Sequence, residues 1–119
     1  MAQRIRNRSL DMYKLAGAEA RLIKTLFSRF AVDCGNIVPA FYCAKLNTAR
    51  RHLDEFISNA EDCMYRDFKD LGSPYINVFY GAIDNECTTN EIDKEVRSIA
   101  IGLLEDLKDK CMEEQAVKV

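Results

Sequence analysis

Three stretches of this chain keep their apolar residues at steps of three and four, and that spacing commits it to helices packed side by side. In the first stretch Met12, Leu15, Ala16, Leu22, Ile23, Leu26 and Phe30 form the stripe, while Asp11, Lys14, Arg21, Lys24 and Arg29 fall mostly elsewhere. Ser9 is placed to cap its start, and Asp11 lies in the first turn, where a negative charge favours the helix dipole. The stretch should stop near Val32, because Asp33-Cys34-Gly35-Asn36 offers a glycine for a left-handed cap.

The second stretch runs from about Pro39 to Leu71, with Tyr42, Leu46, Ala49, Leu53, Phe56, Ala60 and Cys63 alternating steps of four and three. Two readings stand for it. It is one long helix, or Asn47 or Thr48 caps a new helix after a short one, both residues favouring local side-chain hydrogen bonds over helix interiors. Its end is sharper: Leu71-Gly72-Ser73-Pro74 places a glycine past a helix, a serine as N-cap and a proline at the first helical position.

A short third helix is expected from Pro74 to Ile83. Tyr75, Ile76, Val78, Phe79, Tyr80, Ala82 and Ile83 would cover well over half its circumference, so neighbours must enclose it or a subunit interface must cover it. Tyr75, Phe79 and Tyr80 are therefore the candidate interface residues. The last stretch opens on Thr88-Thr89-Asn90-Glu91, which has the spacing of a capping box. Ile92, Val96, Ile99, Ala100, Leu103, Leu104, Leu107 and Cys111 then form its apolar face, with an end near Glu113 or Glu114.

No strand pattern or repeat interrupts this scheme, and 119 residues suffice for one domain. The expectation is an all-α antiparallel four-helix bundle with three long helices and one short apolar third helix. Residues 9–114 form the single helical domain, preceded by a flexible basic segment, 1–8, and followed by a frayed tail, 115–119.

Little here supports catalysis. The one histidine, His52, lacks the Glu-x-x-His spacing of di-iron bundles, and the acids after it, Asp54 and Glu55, would repel a phosphoryl group. The five cysteines are odd in number, widely spaced and without a C-x-x-C pair, which speaks against a disulfide framework or a zinc ribbon. Cys43, Cys63 and Cys111 sit at apolar helix positions; Cys34 and Cys87 fall in loops, where a thiol-based activity would have to reside. No cofactor or metal is expected. The longest apolar run, Ile37 to Ala44, is too short to span a bilayer, and Asp11, Lys14 and Glu19 break up any signal peptide, so the expected setting is cytoplasmic.

Charge supplies the functional lead. The formal net charge is −2, but residues 1–51 hold ten basic residues against three acids, +7, and the remainder holds seven against sixteen, −9. If the first two helices pack antiparallel, Arg21, Lys24, Arg29, Lys45, Arg50 and Arg51 form a basic face suited to nucleic acid or a nucleotide. A helix-turn-helix at Gly72-Ser73-Pro74 is excluded by charge: from Asp70 to Asp93 there is no lysine or arginine. The leading expectation is a non-enzymatic, regulatory or accessory interaction module that binds a protein partner and self-associates as a homo-oligomer. Anionic-ligand binding through the basic face is the alternative.

Overall fold

In the computed structural model, which describes residues 9–83 and 88–118, the first helix starts where its sequence places it. Ser9 Oγ accepts from the Met12 N–H at 3.2 Å, and α1 runs Leu10–Gly35. It passes the expected stop because Gly35 does not turn left-handed. No described glycine has a positive φ. The chain leaves instead through right-handed turns, Asn36 N–H to Asp33 O at 3.2 Å and Val38 N–H to Cys34 O at 2.9 Å.

The second helix, α2, Ala40–Asp67, is continuous through Asn47-Thr48. The Thr48 hydroxyl donates to Ala44 O at 3.2 Å, one turn back, so it caps nothing new. The helix ends short of Leu71, with Phe68 in an extended conformation and its N–H on Met64 O. The third, α3, Glu91–Lys118, begins on a cap the Thr-x-x-Glu spacing did not select. Asn90 Oδ1 accepts from the N–H groups of Ile92 and Asp93, while Thr88 Oγ1 accepts only from Asn90 N–H. Asn90 also donates from Nδ2 to Pro74 O at 2.9 Å, tying the start of α3 to the preceding segment. At its other end α3 continues past Glu114.

The expected short third helix does not form, so the bundle has three helices among the described residues and not four. Ser73-Pro74-Tyr75 makes one 3-10 turn, as the Gly-Ser-Pro start signal implies. Beyond it the backbone makes separate turns, with Val78 N–H on Tyr75 O at 3.3 Å and Gly81 N–H on Asn77 O at 2.9 Å. Two causes act together. Ile76, Asn77, Val78 and Gly81 are all poor helix formers. In addition, the Arg21 guanidinium ties the carbonyls of Asn77, Val78 and Ala82 to the core, which holds the segment in separate turns.

The helices run up, down and up. Tyr13 meets Asp67 and Lys24 meets Asp54, so α1 and α2 are antiparallel; Lys14 meets Glu95, and Leu22 and Arg29 lie level with Leu103 and Lys110, so α1 and α3 run the same way. Both α2 and α3 pack on α1, but among the described residues their backbones do not approach each other closely. The segment after α2 fills the space between them. Val78 and Phe79 are its buried anchors, joined in one core by Ala18, Ala20, Ile57, Met64, Val96 and Ala100. The apolar segment is enclosed only in part, Val78 and Phe79 being buried while Ile76 and Tyr80 are exposed, and it is not α-helical.

The face of α1 that meets this core takes only part of its apolar stripe, with Ala16 and Leu22 packed at its margin. Its buried residues are Lys14, Gly17, Ala18, Ala20 and Arg21, whereas Met12, Ile23, Leu26 and Phe30 are exposed. Small residues allow close approach here. A Cβ on Gly17 would lie 2.5 Å from Val78 O, so the backbone of the segment rests directly on α1.

Candidate functional site

The six cations expected to share a basic face are dispersed by the structure. Arg21 is the clearest departure: its side chain is fully buried and pairs with Asp93 at 2.7 Å. It donates from Nε to Val78 O at 3.2 Å. A Cβ on Gly81 would collide with both members of the pair, so glycine is required where the chain passes over it. Arg21 thus holds the molecule together and cannot reach a ligand in solution.

The other five are accessible but separated. Lys24 lies 3.7 Å from Asp54 and 4.8 Å from the Tyr80 ring centre, where the ring face favours a cation. It shares with Arg50 a small cavity of about 240 Å³ at the α1/α2 seam, in which Asp54 also participates. Arg50 and Arg51 flank a shallow depression that Asp54 and Glu55 line as well. Lys45 sits over Tyr42, 5.5 Å from the ring centre. Arg29 points to the opposite seam, toward α3, because five residues along a helix from Lys24 turn the side chain by roughly 140°. Lys24 and Arg50 converge; a continuous basic surface does not arise.

The three candidate interface aromatics also divide. Phe79 is 1% exposed and belongs to the core. Tyr75 is half-buried, with the Lys14 ammonium 6.0 Å from its ring centre. Tyr80 is exposed at its edge, and burial of its hydroxyl end is the main cause that pushes its pKa up. Phe79 therefore lies beneath the surface that the three were expected to form.

Groups with chemical potential elsewhere are few. His52 is exposed, 3.7 Å from Glu55. Cys34, Cys43 and Cys63 are free thiols, half-buried; Cys87 and the basic segment 1–8 lie outside the described residues. Among the described residues no cluster of histidine, cysteine and carboxylates could hold a metal, and no helix is long and apolar enough to cross a membrane. Two side chains of α1, Lys14 and Tyr13, have raised pKa values through part-buried contacts that are structural. The Glu95 carboxylate, hydrogen-bonded at 2.8 Å, holds the Lys14 ammonium charged to higher pH than usual. Tyr13, partly desolvated and donating to Asp67, is pushed up to about 12.

The surface that sequence reasoning missed is apolar. Between α1 and α3 lies a groove of about 510 Å³, floored by Leu22, Leu26, Leu103 and Leu107 and rimmed by Glu19, Arg29, Asp106 and Lys110. Leu26 is 69% exposed and Leu107 58%. Beyond it the α1/α2 turn presents Phe30, Val32, Ile37 and Phe41, all exposed. One signal for it was present: Leu22-Ile23, Leu26-Phe27 and Phe30-Ala31 are adjacent apolar pairs, which spread the apolar arc of α1 wider than one flanking helix can cover. No protein-family model matches the chain, and neither curated proteins nor solved structures do.

Proposed function

We propose that this chain is a non-enzymatic helical interaction module, regulatory or accessory in role, that binds protein surfaces and associates with itself. One observation carries the reading: the most apolar side chains of α1 face outward and continue onto α3 and the α1/α2 turn, leaving a surface that no other described residue covers. Contiguous apolar patches of this kind mark interaction sites, since an isolated soluble domain rarely leaves them open. The proposed setting is the cytosol, where thiols such as Cys34, Cys43 and Cys63 stay reduced. Light scattering across a concentration series, at low and high salt, tests the self-association. A mass above that of one chain at tens of micromolar is expected, and a strictly monomeric, salt-indifferent protein refutes it.

A second reading, binding of a nucleotide or nucleic-acid phosphate, is favoured by the meeting of Lys24 and Arg50 at one cavity. Arg51 and Lys45 would add long-range attraction, against the local charge of Asp54 and Glu55. It requires binding that falls steeply with ionic strength and weakens in Arg50→Glu. The absence of any mobility or melting shift with RNA, DNA or nucleotides at low salt removes it.

A further inference from the structure

The charges on the rim of the α1/α3 groove are ordered along its length. Because α1 and α3 run in the same direction, the rim reads Glu19, then Asp106, then Arg29 and Lys110 from the core end toward the α1/α2 turn. One end is acidic and the other basic. Glu19 and Arg29 stand ten residues apart on α1, ~15 Å, too far to pair with each other. Among the described residues none of the four makes an ion pair.

A rim with this polarity is complementary to itself once reversed. A two-fold axis sets the same patch against the same patch in the opposite direction, so each residue before the axis meets one after it. The midpoint between Glu19 and Arg29 is Lys24, and the apolar groove residues equally spaced about it are Leu22 and Leu26. An axis there places Glu19 of each copy against Arg29 of the other, and sets Leu22 of each against Leu26 of the other. Leu104 and Leu107 of α3 then close over the seam as its second wall.

We propose that the groove seats a second copy of this chain, with α1 packed antiparallel on α1 about a two-fold axis level with Lys24, midway between Leu22 and Leu26. Burial of the leucines supplies the attraction, and the Glu19–Arg29 pairs fix direction and register, which is the part that charge performs best at interfaces. The assignment rests on the self-association proposed above and adds its surface, symmetry and register.

Light scattering of the full chain against concentration tests it, with the wild type beside Leu26→Glu, Glu19→Arg, Arg29→Glu and the double swap Glu19→Arg/Arg29→Glu. The wild type should have the mass of two chains at tens of micromolar. Leu26→Glu should have the mass of one, with unchanged helical circular dichroism, because the side chain is already exposed in the single chain. Each single charge reversal should weaken the dimer by about tenfold or more, and the double swap should restore it, since the pairing re-forms with signs exchanged. A wild type that is monomeric throughout overturns this proposal and the self-association beneath it. A dimer indifferent to Leu26→Glu and Arg29→Glu overturns the groove as its seat and leaves self-association standing. Loss in both single reversals without recovery in the double swap overturns the antiparallel register.

Discussion

The two ends of α1 are built on opposite rules. From Lys14 to Arg21 the helix buries glycine, alanine and two cations, whereas from Ile23 to Val32 it exposes isoleucine, leucine, phenylalanine and valine. At the core end, backbone approaches backbone and a guanidinium satisfies three carbonyls; at the far end, large side chains have nothing to cover them. Large apolar side chains therefore do not mark the buried face of α1. Close approach and satisfied polar groups stabilise one end, and the apolar area left at the other is available for association.

The contrast can be broken most forcefully at Arg21. Arg21→Met removes the partner of buried Asp93 and frees three carbonyls, and should lower stability by about 3–5 kcal/mol in a urea titration. Next comes Gly17→Ala. A single methyl pressed against Val78 O should cost about 1–3 kcal/mol in the same assay, since backbone must shift to admit it.

A milder probe is pH. Tyr13 and Lys14 both have pKa values raised by folding, so each holds its proton more tightly in the folded chain than in the unfolded one. Their contribution is complete below the ordinary tyrosine value of 10.0 and is lost as pH rises toward about 12. Stability should fall across that window and fall less in Tyr13→Phe, while ultraviolet titration should show one phenol ionising near the upper limit. The smallest effect is expected at the other end of the helix. Leu26→Ser, measured on dilute single chains, should alter stability by no more than about 0.5 kcal/mol, although it removes far more apolar surface than Gly17→Ala adds.

Elements whose signals are local were legible in the sequence. Ser9 caps α1, Pro39 opens α2, and Gly72-Ser73-Pro74 starts a turn, because each acts on backbone within four residues. The missing helix after Pro74 was not legible, since the residue that captures its carbonyls, Arg21, lies more than fifty positions earlier. The capping of α3 failed for a related reason. Both Thr88 and Asn90 suit the position, and the bond from Asn90 to Pro74 O favours the latter. The basic face was overread because periodicity shows that a helix has a preferred side without showing which neighbour it meets. Lys14 and Arg21 looked like solvent positions until Glu95 and Asp93 were brought opposite them. The groove was hidden by the same ambiguity, its leucines having been assigned to the core.

One consequence of α2 and α3 making no close backbone approach concerns the order of assembly. The α1/α2 hairpin closes a loop of only a few residues, so its entropic barrier is low, while α3 docks on α1 across a much longer connection, onto a surface that the segment after α2, seated on Gly17 and Arg21, helps to form. Closure between Arg21 and Asp93 is therefore expected late, since it closes a far longer loop than the hairpin does. The hairpin is the part expected to form first, and α3 the part that docks on it last, through Lys14–Glu95, Arg21–Asp93 and the buried Val96 and Ala100.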